Sequence, residues 1–134
     1  MPLVRIDVNR TQDPQRTRAV ADAVHEAIVE VYGIPARDRF QIITRHEPGE
    51  IIAQDAGLGF ERSDDVVMIQ VLTQAGRDTP AKQTLYSTLA ANLAEQGVAG
   101  EDVFLGYFEN TAADWTFGFG RAQYVTGELD IPRA

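Results

Sequence analysis

The chain has 134 residues, a formal net charge of −8 and no cysteine. That length predicts one domain with a single core over 1–134. The acidic balance argues against a nucleic-acid partner, and the missing thiols exclude disulfide and cysteine chemistry. No apolar run approaches membrane length and the start lacks a signal-peptide pattern, so no membrane partner and a cytoplasmic location are expected. Eleven of the twelve basic residues are arginine, with Lys82 the exception. Guanidinium groups bind carboxylates in bidentate fashion, so a small anionic substrate is compatible with the acidic total.

In chain order, Pro2 comes first, directly after the initiator methionine and ahead of the strand-like Leu3–Val8. Cytosolic methionine aminopeptidases act when the second residue is small, so the mature chain is expected to begin with a secondary amine. An α-amine titrates near ~8, against ~10.4 for lysine. Burial or a nearby cation lowers that value, and a carboxylate raises it. Such a group serves as general acid, general base or amine nucleophile.

Asp13-Pro14 offers an N-cap and a first-turn proline. Val20, Val24, Ala27, Ile28 and Val31 keep helical spacing, and Gly33 supplies the stop. Phe40–Thr44 reads as a second strand. His46–Asp65 is a long connection with room for a short hairpin. Val66–Thr73 is a near-continuous apolar strand. Thr79-Pro80 repeats the cap-and-proline start, Leu85, Leu89 and Leu93 form a stripe, and Gly97 ends the helix. Val103–Phe108 is the fourth strand. From Asn110 onward, Trp115, Phe117, Phe119 and Tyr124 alternate with glycines, which suggests irregular backbone aiming rings at one apolar surface. That surface is a pocket wall, a subunit contact, or both.

The order contains a repeat. Gly33-Ile34-Pro35-Ala36-Arg37-Asp38-Arg39-Phe40 returns as Gly97-Val98-Ala99-Gly100-Glu101-Asp102-Val103-Phe104, with Gly, Asp and Phe at the same offsets. The units span about 2–45 and 66–109, followed by the aromatic tail 110–134. Each is a β-α-β motif, whose strands pair in parallel. The fold class is therefore α+β: duplicated β-α-β units forming a four-stranded sheet with two helices on one face. The other face is left bare and apolar, which predicts burial against further copies of the chain.

Asp38 and Asp102 occupy equivalent positions, and either can cap its helix-to-strand turn. Only Asp38 is flanked by arginines, Arg37 and Arg39, which marks it as the functional one. His25 is expected to face solvent or a helix partner. With only two histidines and no ligand spacing, no metal site is expected. Ser63 and Ser87 lie in no nucleophile elbow. Gly57-Leu58-Gly59 does not join a strand to a helix, so no nucleotide cofactor is expected.

The Met1-Pro2 start and the duplicated β-α-β unit resemble the tautomerase superfamily, nearest its malonate semialdehyde decarboxylase branch. The likeness is carried by Gly33–Gln41, by Gln54-Asp55-Ala56-Gly57-Leu58-Gly59 and by Glu109–Gln123. The resemblance implies a homotrimer that needs no cofactor and acts on a small oxo-acid through an amino-terminal proline. It assigns Pro2 and Asp38 as catalytic. It places Trp115, Phe117, Tyr124 and Leu129 in an apolar wall, with Tyr124 where phenylalanine is usual. The branch carries two arginines, separated by one residue, after the third strand. Here Gln74 stands for the first, and Arg77 matches the second only with one inserted residue.

Decarboxylating a 3-oxo acid needs an electron sink at the ketone and a desolvated carboxylate. A protonated Pro2 supplies the sink by a charge-assisted hydrogen bond, or a neutral one by forming an iminium. Arg77 would hold the carboxylate. Asp38 would raise the amine's pKa or position a water for hydration of an unsaturated acid. A ketoenol tautomerase requires the reverse, a neutral Pro2 acting as base. A non-catalytic trimeric binding protein of the same fold is the other alternative.

Overall fold

A computed structural model describes residues 2–131. Met1, whose removal the sequence predicts, and the last three residues of the tail lie outside the described residues. Four strands, β1 (Pro2–Asn9), β2 (Phe40–His46), β3 (Val67–Gln74) and β4 (Val103–Asn110), form one sheet in the order β2-β1-β3-β4. Within each β-α-β unit the strands pair in parallel, β1 with β2 and β3 with β4. The units are joined by antiparallel pairing of β1 with β3, in which Pro2 opposes Thr73.

The two long helices are α1 (Pro14–Tyr32) and α2 (Thr79–Glu95). Asp13 caps α1 by accepting from the Arg16 N–H, ahead of Pro14. The cap of α2 is Asp78 rather than Thr79: its carboxylate accepts from the Ala81 N–H, so Thr79 and Pro80 both fall inside the first turn. A carboxylate at this position also meets the positive end of the helix dipole, which a threonine hydroxyl cannot match. Gly33 ends α1 with φ 65° and donates to the Val29 carbonyl. At the end of α2, Gly97 donates to Ala94 and Val98 to Leu93, a Schellman closure made possible by the left-handed glycine.

Both helices cover one sheet face. Val4, Ile6 and Val8 of β1 and Val67, Ile69 and Val71 of β3 point into a core completed by Val20, Val24 and Ile28 of α1 and Leu85, Leu89 and Leu93 of α2. Those leucines recur every fourth residue and are the buried positions of α2. The opposite face exposes Phe40, Ile42, Phe104 and Phe108.

Among the described residues the connection 47–66 contains no strand, and the expected hairpin does not form. Its backbone is instead tied by side chains. Asp55 accepts from the N–H groups of Gly57 and Gly59, and Arg62 donates to the carbonyls of Gln54 and Glu101. Side-chain partners replace a ladder here because glycines at 57 and 59, both with φ above 80°, break extended backbone. His25 does not face solvent. It is buried with its Nε2 2.8 Å from the Ala36 carbonyl, bracing the turn that leads to β2.

Asp102 is buried and accepts from the Ser63 N–H (2.7 Å) and hydroxyl (2.6 Å), so it pins the long connection rather than capping its own turn. Replacing Asp102 with Ala strands two donors, at a cost of about 1–3 kcal/mol. Urea denaturation is expected to show that loss with the unfolding slope and the catalytic rate unchanged; a variant as stable as the wild type would contradict the pinning role.

Candidate active site

The strand directions bring four chain segments to one end of the sheet. Pro2 begins β1 and is buried, opposite Thr73 near the end of β3. Gln74 follows, 2% exposed, and is paired in register with Asn110 at the end of β4. Asp38 lies two residues before β2 begins, in a turn closed by its own N–H donating to Pro35.

Past β3 the chain turns sharply at Gly76, whose φ of 142° favours glycine, and Arg77 points back into the protein. Arg77 is 6% exposed. Its Nη1 lies 3.4 Å from the Thr73 hydroxyl, which in turn donates to the Gln74 amide oxygen at 3.2 Å. Its guanidinium carbon stands 4.3 Å from the centre of the Tyr32 ring. The Tyr32 hydroxyl donates to that of Tyr107 at 3.1 Å. Burial pushes both phenols upward, Tyr107 well beyond the ordinary tyrosine range, and the Arg77 charge opposes the shift in each.

The tail folds back over this end. Trp115 donates from its indole to the Asn110 side chain at 2.9 Å and stacks on Phe117 at 6.3 Å. Phe117 meets Tyr124 edge-on at 5.1 Å and Phe40 at 5.7 Å. Gln123 holds the bend, accepting from the Phe117 N–H and donating to the Gly118 carbonyl. A cleft of about 450 Å³ opens between the Gly33–Asp38 turn and the side chains of Phe117, Tyr124 and Leu129. Phe119 does not join the wall: it is 89% exposed, on a left-handed backbone, with Arg121 packed over its ring.

The Tyr124 hydroxyl is pushed up to about 12, first by burial and then by the negative charge of Asp38, with Arg77 pulling the other way. Asp38, Tyr124 and Arg77 therefore share one electrostatic field. Of the two arginines beside Asp38, Arg37 lines the cleft, while Arg39 turns away to an ion pair with Asp22 at 2.6 Å.

The eight residues singled out by sequence thus gather at one end of the sheet. Pro2, Gln74 and Arg77 cluster around Thr73, and Asp38, Phe117, Tyr124 and Leu129 surround the cleft, with Trp115 behind Phe117. Sequence reading missed Thr73, Tyr32, Asn110 and Gln123. Tyr32 and Thr73 read as ordinary inward-facing positions, and only the three-dimensional neighbours distinguish them.

Two family models described as tautomerase enzyme match the chain, over residues 38–118 and 2–61. The chain belongs to the tautomerase family, whose members are enzymes. It is 38% identical to the probable tautomerase YrdN of Bacillus subtilis (strain 168), over 96% of this chain and all of that protein. Among solved structures it is similar to FG41 malonate semialdehyde decarboxylase inhibited by 3-bromopropiolate, with 58% identity, TM-score 0.95, and coverage of 97% of this chain and 99% of that one. A second malonate semialdehyde decarboxylase, with decarboxylase and hydratase activities, is 37% identical with TM-score 0.91 over 95% of this chain and 98% of that one. A fused 4-OT, solved as a symmetric trimer, shares the fold at 21% identity and TM-score 0.76, over 93% of this chain and 98% of that one.

The raised phenol gives a direct check on the site's electrostatics. An unfolded tyrosine ionises near ~10, so between there and about 12 the unfolded chain loses a proton that folded Tyr124 keeps. Its contribution to stability is therefore complete below pH ~10 and is lost as pH rises through about 12. In ultraviolet difference titration of wild type against Tyr124→Phe, the missing phenolate step should centre near 12. A missing step near ~10 would contradict burial beside Asp38.

Proposed function

We propose that the chain is a cofactor-independent decarboxylase of a small 3-oxo acid, of the malonate semialdehyde type, with a companion hydratase activity on unsaturated acids. Pro2, freed by removal of Met1, is the acid at its centre. The observation that carries this reading is the Asp38 charge beside a buried phenol, at the strand end where Pro2 lies buried. A carboxylate in that corner favours a protonated amine. The high identity to two malonate semialdehyde decarboxylases over nearly the whole chain supports the same class.

Chemically, the prolinium N–H donates to the substrate carbonyl oxygen. The electron pair of the bond to the carboxylate flows into that carbonyl, carbon dioxide departs, and transfer of the prolinium proton to the oxygen leaves an enol. Water protonates the carbon while the enol O–H proton returns to Pro2, giving the aldehyde. Arg77 holds the departing carboxylate, and the Gln74 amide supplies a second, neutral contact where the branch usually has arginine. Trp115, Phe117 and Leu129 strip water from the carboxylate, which raises the ground state relative to the charge-dispersed transition state. Tyr124, kept neutral by its raised pKa, is an O–H donor beside Asp38. For hydration, Asp38 positions water for addition to a 2-oxo-alkynoate.

The bare apolar sheet face fits a homotrimer, as formed by the fused 4-OT relative. The same reading puts the protein in the cytoplasm, where the aminopeptidase acts. Sedimentation is expected to give three times the chain mass; a monomer would contradict it.

Pro2→Ala should lower decarboxylation by at least about a hundredfold, the usual scale for loss of a positioned acid. Intact-mass measurement of the wild type should show Met1 absent. Unchanged decarboxylation and unchanged phenylenolpyruvate tautomerisation in the variant would overturn the proposal, and a retained Met1 would favour a non-catalytic protein. A variant that loses tautomerisation alone would favour the isomerase reading, with Pro2 as base.

A further inference from the structure

We propose that Tyr32 is a positioning residue for Arg77, whose ring seats the guanidinium at the substrate's carboxylate position. This rests on the reading of Arg77 as the carboxylate holder.

The guanidinium carbon lies 4.3 Å from the Tyr32 ring centre, within the range of a cation–π contact, and both residues are almost fully buried. The face of the ring offers partial negative charge to the guanidinium. The flat ring also restricts the long arginine side chain to one plane, so less freedom is lost when substrate binds.

The seat is itself anchored from both repeats. Tyr32 is the last residue of α1, fixed by the Gly33 closure, and its hydroxyl donates to Tyr107 on β4. Lys82 stands 4.8 Å from the Tyr107 ring centre while pairing with Glu109 at 2.8 Å. Burial keeps the Tyr32 phenol neutral well into the alkaline range, so the ring never becomes a competing anion under working conditions.

The test is a double-mutant cycle read by calorimetric binding of malonate, an unreactive three-carbon carboxylate, alongside KM and kcat. Tyr32→Met, of similar bulk but without the ring, should weaken malonate binding roughly tenfold and raise KM more than it lowers kcat. Tyr32→Phe, which keeps the ring, should bind within about twofold of wild type. In an Arg77→Ala background, Tyr32→Met should add nothing. Phenylalanines carrying one, two and three ring fluorines at position 32 keep the shape, and so remain informative if the Met variant does not fold. Affinity should fall stepwise with fluorination. Equal weakening by Tyr32→Met with and without Arg77, or affinity indifferent to fluorination, would overturn the seat while leaving Arg77→Ala weak. Undiminished binding by Arg77→Ala would overturn the carboxylate-holder reading, and the seat with it.

Discussion

Antiparallel pairing of β1 with β3 is the contact on which the arrangement of the site depends. Within each unit the two strands run the same way, so a unit alone delivers its strand starts to one end and its strand stops to the other. Setting the units head to tail places the starts of β1 and β2 beside the stops of β3 and β4. Pro2 thereby meets Thr73 and Gln74, Asp38 arrives ahead of β2, and Asn110 delivers the aromatic tail. Slipping the β1–β3 register by one residue would turn Pro2 to the other sheet face and separate it from Thr73.

The same geometry explains why the two repeat aspartates differ. Asp102 precedes β4 as Asp38 precedes β2, but head-to-tail units put those two starts at opposite ends of the sheet. At the far end Asp102 meets Ser63 and serves the fold. At the near end Asp38 meets a buried phenol, an arginine's field and an apolar cleft. Partial burial strengthens the interaction of these charges, because the protein screens them less than bulk water does. Tyr124 adds a neutral hydroxyl to a wall otherwise lined there by Phe117 and Leu129.

Strand and helix order, the parallel pairing within units and the covered sheet face were legible in the sequence, because period, caps and the repeated octet agreed. The candidate site residues were singled out because Pro2, Asp38 and the 109–123 segment carry a family pattern, and the fold gathers them at one end of the sheet. What the pattern could not reveal was support. Tyr32 looks like any helix-terminal core residue, and its place under Arg77 depends on how far the chain turns after Gly76. The hairpin expected in 46–65 failed for a related reason: side-chain bonds from Asp55 and Arg62 hold irregular backbone, and such bonds leave no periodicity. Phe119 shares its glycine-rich setting with Phe117 yet points outward, because its left-handed backbone reverses the ring's direction.

The proposed mechanism requires Pro2 to work as an acid, held protonated by Asp38 against the opposing pull of burial and of Arg77. Labelling proline with nitrogen-15 and following the amino-terminal resonance against pH measures that state directly. A pKa well above ~7 is the predicted result, falling in Asp38→Asn and rising in Arg77→Ala. A pKa below ~7 in the wild type would make Pro2 a base and contradict the decarboxylase mechanism.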